Sequence, residues 1–183
     1  MSIATRTGDS GSTGLMYNRR LSKSHPRVEA YGSVDELNTA IGLVRAHNED
    51  ASLNEFLINV QKTLVELMGE LATEKGDLEH YSKDGYKLIT AEHAKPLDEK
   101  VAEIEAQDIT FKGWATPGSC KSSAFLDNAR TACRRAERRV CTLMETGDVE
   151  NGAIAIYLNR LSDLLWLFAR WVETNSGEVQ PDA

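Results

Sequence analysis

The chain has 183 residues, of which 41% are hydrophobic, and a formal net charge of −7 at neutral pH. A single domain of that size buries a core without disulfide or metal staples, and the negative balance argues against general affinity for nucleic acid or acidic membranes. No apolar run approaches the roughly 20 residues of a membrane span, the start M-S-I-A-T-R-T-G has no signal-like segment, and the three cysteines, Cys120, Cys133 and Cys141, lack metal-ligand spacing. Thiols of that kind suit a reducing setting, so the expectation is a soluble cytoplasmic protein.

Residues 1–25 carry Gly8, Gly11 and Gly14 among Thr5, Thr7, Asp9, Ser10, Ser12 and Thr13, too rich in glycine and hydroxyls for a helix. Ile3, Leu15, Met16 and Tyr17 supply apolar anchors and Arg6, Arg19, Arg20 and Lys23 supply positive charge, which favours an ordered loop over a floppy tail.

After Pro26, a residue suited to a first turn, Val28, Tyr31, Val34, Leu37, Ile41 and Val44 recur at three- and four-residue spacing and predict a helix to about Ala46. Asp35, Glu36 and Asn38 lie beside that stripe. A second helix is expected from Leu53 to Thr73, with Phe56, Leu57, Val60, Leu64, Leu67, Met68 and Leu71 on its apolar face. Glu74 to Ile89 is charged, contains Gly76 and Gly85, and shows no period, so it reads as a surface connection. A third helix follows Thr90 as N-cap, with His93 three residues on and Leu97, Val101 and Ile104 along it, unless Pro96 marks its start.

Ile109 to Cys120 is a loop by its Gly113, Pro117 and Gly118, yet it holds Phe111 and Trp114, aromatics that either plug the core or face a ligand. The fourth helix spans about Ser119 to Thr146, with Gly147 as its stop signal, and Asp148 opens a fifth to about Thr174. That helix places Ile154, Leu158, Leu161, Leu165 and Phe168 on one face, and Asn159, Arg160, Asp163 and Arg170 elsewhere. Five helices and no convincing strand predict an all-α fold, a five-helix bundle in one domain.

The fourth helix holds the most telling stretch, N-A-R-T-A-C-R-R-A-E-R-R-V from Asn128 to Val140. Arg130, Arg134 and Arg138 climb one face, while Phe125, Ala129, Ala132, Cys133, Ala136, Val140 and Met144 form an apolar stripe on another. Like charges four residues apart repel, so either the face is simply solvated or carboxylates, phosphates or another subunit lie opposite. Walker, dinucleotide-fold and zinc-protease signatures are absent, and His25, His47, His80 and His93 have no ligand spacing. A Gly/Thr loop, a downstream lysine and a helical arginine row together supply donors and cations for a polyphosphate.

Four separated blocks carry a specific resemblance: T-R-T-G-D-S-G-S-T-G-L at 5–15, R-V-E-A-Y-G-S-V-D-E-L-N at 27–38, the block with R-R-A-E-R-R, and Y-L-N-R-L-S-D-L-L at 157–165. In order and separation they resemble the PduO-type ATP:cob(I)alamin adenosyltransferases over nearly the whole chain. The resemblance implies a five-helix bundle assembled as a homotrimer, with ATP and corrinoid between subunits. Residues 1–25 would then be a nucleotide-binding loop and 26–175 the bundle. The implied reaction transfers the 5′-deoxyadenosyl group of ATP to the cobalt of cob(I)alamin and releases triphosphate; a carrier or sensor of the same fold is the alternative.

By the same resemblance, Thr5, Arg6, Thr7, Gly8, Thr13, Gly14 and Lys23 wrap the phosphates, and Arg134, Glu137, Arg138 and Asn159 complete the ATP site. Arg130 matches the arginine that the family pairs with an aspartate of the first helix, here Asp35, and Mg2+ is expected with the triphosphate. Trp114 stands where the family places the aromatic that displaces the lower axial ligand of the corrinoid. The family's F-x-L-P-G-G is here Trp114, Ala115, Thr116, Pro117, Gly118 and Ser119, so the aromatic is larger and a leucine has become threonine. A cobalamin reductase and an adenosylcobalamin-dependent enzyme are the further partners to look for.

Overall fold

The computed structural model describes residues 4, 6–107, 109 and 115–176. Thr5, Phe111 and Trp114, three of the residues singled out above, lie outside them. Six helices form among the described residues: α1 (Pro26–His47), α2 (Ala51–Leu71), α3 (Leu78–Lys83), α4 (Ala91–Glu105), α5 (Lys121–Glu145) and α6 (Gly152–Ser176). The all-α expectation holds, with two differences: the segment read as a bare connection contains α3, and the N-terminal loop contains two short strands.

Helix ends follow local chemistry. The Asp50 carboxylate accepts from the Leu53 amide (2.8 Å), starting α2 two residues before the apolar period becomes visible. At α4, His93 Nδ1 accepts from the Thr90 amide (3.0 Å), so the helix starts at Ala91 and Pro96 lies inside it. Gly147, at φ 76°, takes the left-handed turn that ends α5. Asp148 does not open α6; Asn151 does, accepting from the Ala153 amide (3.1 Å) while donating to Glu70 Oε1 and to the Ile89 carbonyl (both 2.8 Å). A side chain that caps one helix and binds two other segments outweighs an isolated acid.

α5 is the central helix, packed along both α1 and α6, while α4 leans on α6 and α2 on α1. Its predicted stripe is its buried face: Ala129, Cys133, Ala136 and Val140 are fully covered and Ala132 nearly so, with Phe125 and Met144 at the margin. Leu37, Ile41, Leu57, Leu64, Leu158, Leu161 and Leu165 complete the core from three other helices. Small residues on α5 let its neighbours approach closely, and the Cys133 thiol donates to the Leu158 carbonyl (3.1 Å), fixing the register of α5 on α6.

Arg27 is buried at the start of α1 and donates to the carbonyls of Leu71 (2.9 Å), Thr73 (3.0 Å) and Asp148 (2.7 Å). It ties the end of α2 and the α5–α6 turn to α1, and burial lowers its pKa from the ordinary arginine value. The N-terminal hairpin sits at this same end of the bundle. β1 (Ser12–Gly14) pairs antiparallel with β2 (Arg20–Ser22), and the Met16 amide of the intervening turn donates to the Ala72 carbonyl (3.0 Å).

Candidate active site

The arginine row divides by partner. Arg130 Nε donates to Asp127 Oδ1 (2.8 Å) on its own helix; Arg135 pairs with Glu36, and Arg139 Nε lies 3.2 Å from Glu29 Oε1, both on α1. Among the described residues no carboxylate pairs with Arg134 or Arg138, and both are exposed. The row therefore carries three arginines neutralised by protein and two whose charge is available to an anion. The expected bond between Arg130 and Asp35 does not form within one chain: Asp35 is exposed on α1, and the nearer Asp127, one helical turn away, takes Arg130 instead.

Asp127 is itself buried and shared, its second oxygen accepting from Arg170 Nη2 (2.7 Å), which in turn reaches Glu173 Oε1 (3.1 Å). Arg170 is therefore a core residue, contrary to its expected place away from the apolar face. Two arginines and two carboxylates pair at this junction, and deleting one leaves an uncompensated ion. The sequence signal was available: Asp127 lies three residues before Arg130, and Arg170 is a lone charge in the run W-L-F-A-R-W-V.

Cys133 locates the remaining helical candidates. Burial first, then the charges of Glu137 and Asp163, push its thiol far above the ordinary range, while Arg134 opposes them. Arg134 and Glu137 on α5 and Asp163 on α6 thus share one neighbourhood, and Asn159 follows Leu158, the residue that accepts from Cys133. Asn159 is exposed, as an amide offered to a ligand must be.

The loop half of the site is built separately. Arg20 Nη2 donates to the Thr7 carbonyl (2.8 Å) and the Ser12 hydroxyl (2.7 Å), Gly11 N donates to Gly8 O (3.1 Å), and Lys23 N donates to Gly11 O (2.9 Å). A Cβ added at Gly8 would come within 3.1 Å of Lys23 Nζ and 3.3 Å of the Ser12 carbonyl, so the lysine amine crosses directly over that glycine. At Gly14 nothing lies within 4 Å of such a Cβ, and crowding in the single chain does not explain that glycine. Arg6, at φ 58°, is exposed, and Thr13 pairs across the hairpin with Leu21. The sequence counted Arg20 only as positive charge; in the fold it shapes the loop.

Gly8 and Lys23 are therefore brought together, and Arg134, Glu137 and Asp163 gather around Cys133, but the loop is held by its own second strand and by Ala72, and the arginine row by Asp127 of α5 and by Glu29 and Glu36 of α1. Each half is ordered without the other. No helix among the described residues is long and apolar enough to cross a membrane, and no group of three or more metal-ligating side chains forms among them.

A helical bundle of this architecture has known counterparts. The chain matches the cobalamin adenosyltransferase family over residues 3–172 and belongs to it. It is 38% identical over 179 residues to the corrinoid adenosyltransferase PduO of Salmonella typhimurium (98% of this chain, 52% of that one) and 38% identical over 183 residues to the corrinoid adenosyltransferase of Bacillus subtilis (97% and 89%). The chain thus spans about half the length of the PduO relatives it matches. Among solved structures it is similar to a phenylalanine-to-alanine variant of the PduO-type ATP:corrinoid adenosyltransferase of Lactobacillus reuteri complexed with cobalamin and ATP. The TM-score is 0.87 at 32% identity, covering 99% of this chain and 97% of that one.

Proposed function

We propose that this protein transfers the 5′-deoxyadenosyl group of ATP to the cobalt of cob(I)alamin, forming adenosylcobalamin and triphosphate. The observation that carries the proposal, beside family membership, is the pairing pattern on α5: among the described residues, Arg134 and Arg138 are the arginines of the row that are exposed with no carboxylate paired to them. The cobalt(I) electron pair attacks C5′, the Co–C bond forms as the C5′–O bond breaks, and the bonding pair leaves on triphosphate. Cobalt is the nucleophile, so no protein base is needed, and positioning with stabilisation of leaving-group charge supplies the catalysis.

In this reading Arg134 and Arg138 hold the phosphates from one side and Thr5, Arg6, Thr7, Gly8, Thr13, Gly14 and Lys23 enclose them from the other. Glu137 and Asn159 orient the nucleotide, and Mg2+ arrives with it, held by phosphate oxygens and water. Trp114 covers the lower face of the corrin and keeps the axial base from cobalt.

The two halves meet between copies of the chain in a homotrimer. The exposed Asp35, which Arg130 does not engage within its own chain, is available to a neighbour. Charge on Arg135 and Arg139 lends no support to the trimer, because Glu36 and Glu29 of the same chain neutralise it. A cytoplasmic setting follows from the reduced cobalt substrate. Incubation with ATP and chemically reduced cob(I)alamin tests the activity: the absorbance change of Co–C bond formation, with triphosphate as the other product, is expected, and ATP consumption without it would refute the proposal.

A further inference from the structure

The segment between α2 and α4 has a task that its sequence does not announce. The N-terminal hairpin has only three residues per strand, and an isolated ribbon of that size does not hold its shape in water. Its turn is also unusual: Tyr17 (φ 56°, ψ 36°) and Asn18 (φ 57°) are both left-handed, and the Arg19 amide donates to the Met16 carbonyl (3.2 Å). This is the type I′ geometry that twists correctly into a hairpin but ordinarily takes Asn-Gly. A tyrosine at its first central position adopts a backbone that bulky residues avoid, which calls for contacts that over-determine it.

Those contacts come from α3 and the turn before it. The Tyr17 ring stacks on His80, centroids 4.3 Å apart, and its hydroxyl donates to Asp84 Oδ2 (3.0 Å). Arg19 forms a two-pronged bond to Asp77, Nε to Oδ2 at 2.8 Å and Nη2 to Oδ1 at 3.1 Å, with Glu74 at 3.9 Å from Nε. His80 Nε2 lies 3.5 Å from the same Asp84 oxygen that Tyr17 uses. Tyr81, the buried residue of α3, seats the helix against α2, where a Cβ added at Gly69 would fall 2.3 Å from the Tyr81 hydroxyl. The polar side of α3 is thereby spent on the hairpin and its apolar side on the core.

We propose that α3 and the turn before it clamp the hairpin through Tyr17–His80–Asp84 and Arg19–Asp77. Tyr17, Arg19, Asp77 and Asp84 are then positioning residues for the phosphate loop at 6–14. This inference rests on the proposed role of that loop in holding ATP. The left-handed turn presents the ring and the guanidinium to α3, and Arg20, the next residue, then reaches back to Thr7 and Ser12. The path from α3 to the loop is two residues of hairpin.

Steady-state kinetics of the full chain with MgATP and cob(I)alamin tests the clamp, using Arg19→Ala, Asp77→Ala, their double variant, Tyr17→Ala and Tyr17→Phe beside Lys23→Ala. Arg19→Ala and Asp77→Ala should each raise KM for ATP about two- to fivefold, the range that an exposed ion pair controls. The double variant should be no worse than either single, and KM for cob(I)alamin and the melting temperature should stay at wild-type values. Tyr17→Phe, which keeps the stacked ring, should recover part of the loss caused by Tyr17→Ala. If the clamp variants leave KM for ATP unchanged while Lys23→Ala raises it, the loop reading stands and the clamp is wrong. If Lys23→Ala also has no effect, the loop assignment fails and the clamp falls with it. A parallel rise in both KM values, or a lowered melting temperature, would reduce these contacts to general scaffolding and overturn the proposal.

Discussion

The arginine row of α5 and the N-terminal hairpin are both assigned to one triphosphate, yet they are held in place by opposite means. The row stands on a helix whose other face is fully buried, and its first arginine is locked by a carboxylate only 3% exposed. The hairpin rests on the rim of the bundle through an arginine about half exposed, a stacked ring pair and one backbone bond to α2. The helix half is inseparable from folding, whereas the hairpin half can loosen without unfolding the rest. Damage to the first should appear in stability or turnover, and damage to the second in nucleotide affinity.

The largest effect is expected from the buried side of the row. Asp127→Ala removes one of the two carboxylates paired with Arg170 and the one paired with Arg130 among the described residues, and should cost about 3–5 kcal/mol of stability, the penalty for breaking a buried pair. Thermal or denaturant unfolding reads it directly. If that variant melts with wild type, the buried network is not what fixes Arg130.

The exposed side comes next. Arg134→Ala and Arg138→Ala should each lower kcat/KM for ATP by roughly tenfold to over a hundredfold, since a charge-assisted bond to phosphate is worth about 1.5–3 kcal/mol. Arg135→Ala, whose partner is the exposed Glu36, should change the same quantity by no more than a few-fold. Equal losses at 134 and 135 would erase the distinction between available and neutralised arginines.

In the hairpin, Gly8→Ala pushes a methyl against Lys23 Nζ and the Ser12 carbonyl. ATP affinity by calorimetry should fall several-fold, with the melting temperature held near wild type. The smallest effect concerns pH. The Arg19 hydrogen bond holds Asp77 below the usual carboxylate value, so its contribution to docking is present above about pH 4 and fades only as pH falls further. Partial burial and the bond to Asp84 push Tyr17 up to about 12. Its contribution is full below the unfolded value near pH 10 and disappears as pH rises through 12. Hairpin docking should therefore be flat from about pH 5 to 9, as hydrogen exchange of the Met16 amide can check; a step inside that window would contradict it.

The same contrast explains what was legible beforehand. Helix α5 announced itself, because a period of 3.6 with alanine, cysteine and valine on one side has few other realisations. Its inner and outer faces, the Thr90–His93 cap and the Gly147 stop were all readable from neighbouring residues. The hairpin was not, because three-residue strands are too short to show alternation and Tyr-Asn is not a turn pair that composition reveals. α3 was hidden for a related reason: one buried residue, Tyr81, in six cannot make a periodic signal. The Arg130–Asp127 bond was within reach of spacing rules, but the family's Asp35 drew the pairing elsewhere.

The measurement that bears most directly on a site assembled from two copies is complementation between the two halves. Lys23→Ala/Gly8→Ala chains and Arg134→Ala/Arg138→Ala chains, each impaired alone, are mixed, dissociated and reassembled, then assayed with ATP and cob(I)alamin. If the loop of one copy meets the arginine row of the next, about one interface in four joins two intact halves by random pairing, and activity should rise well above either parent. Reassembled mixed oligomers that stay at the activity of the parents would place both halves of the site within one chain and contradict the account.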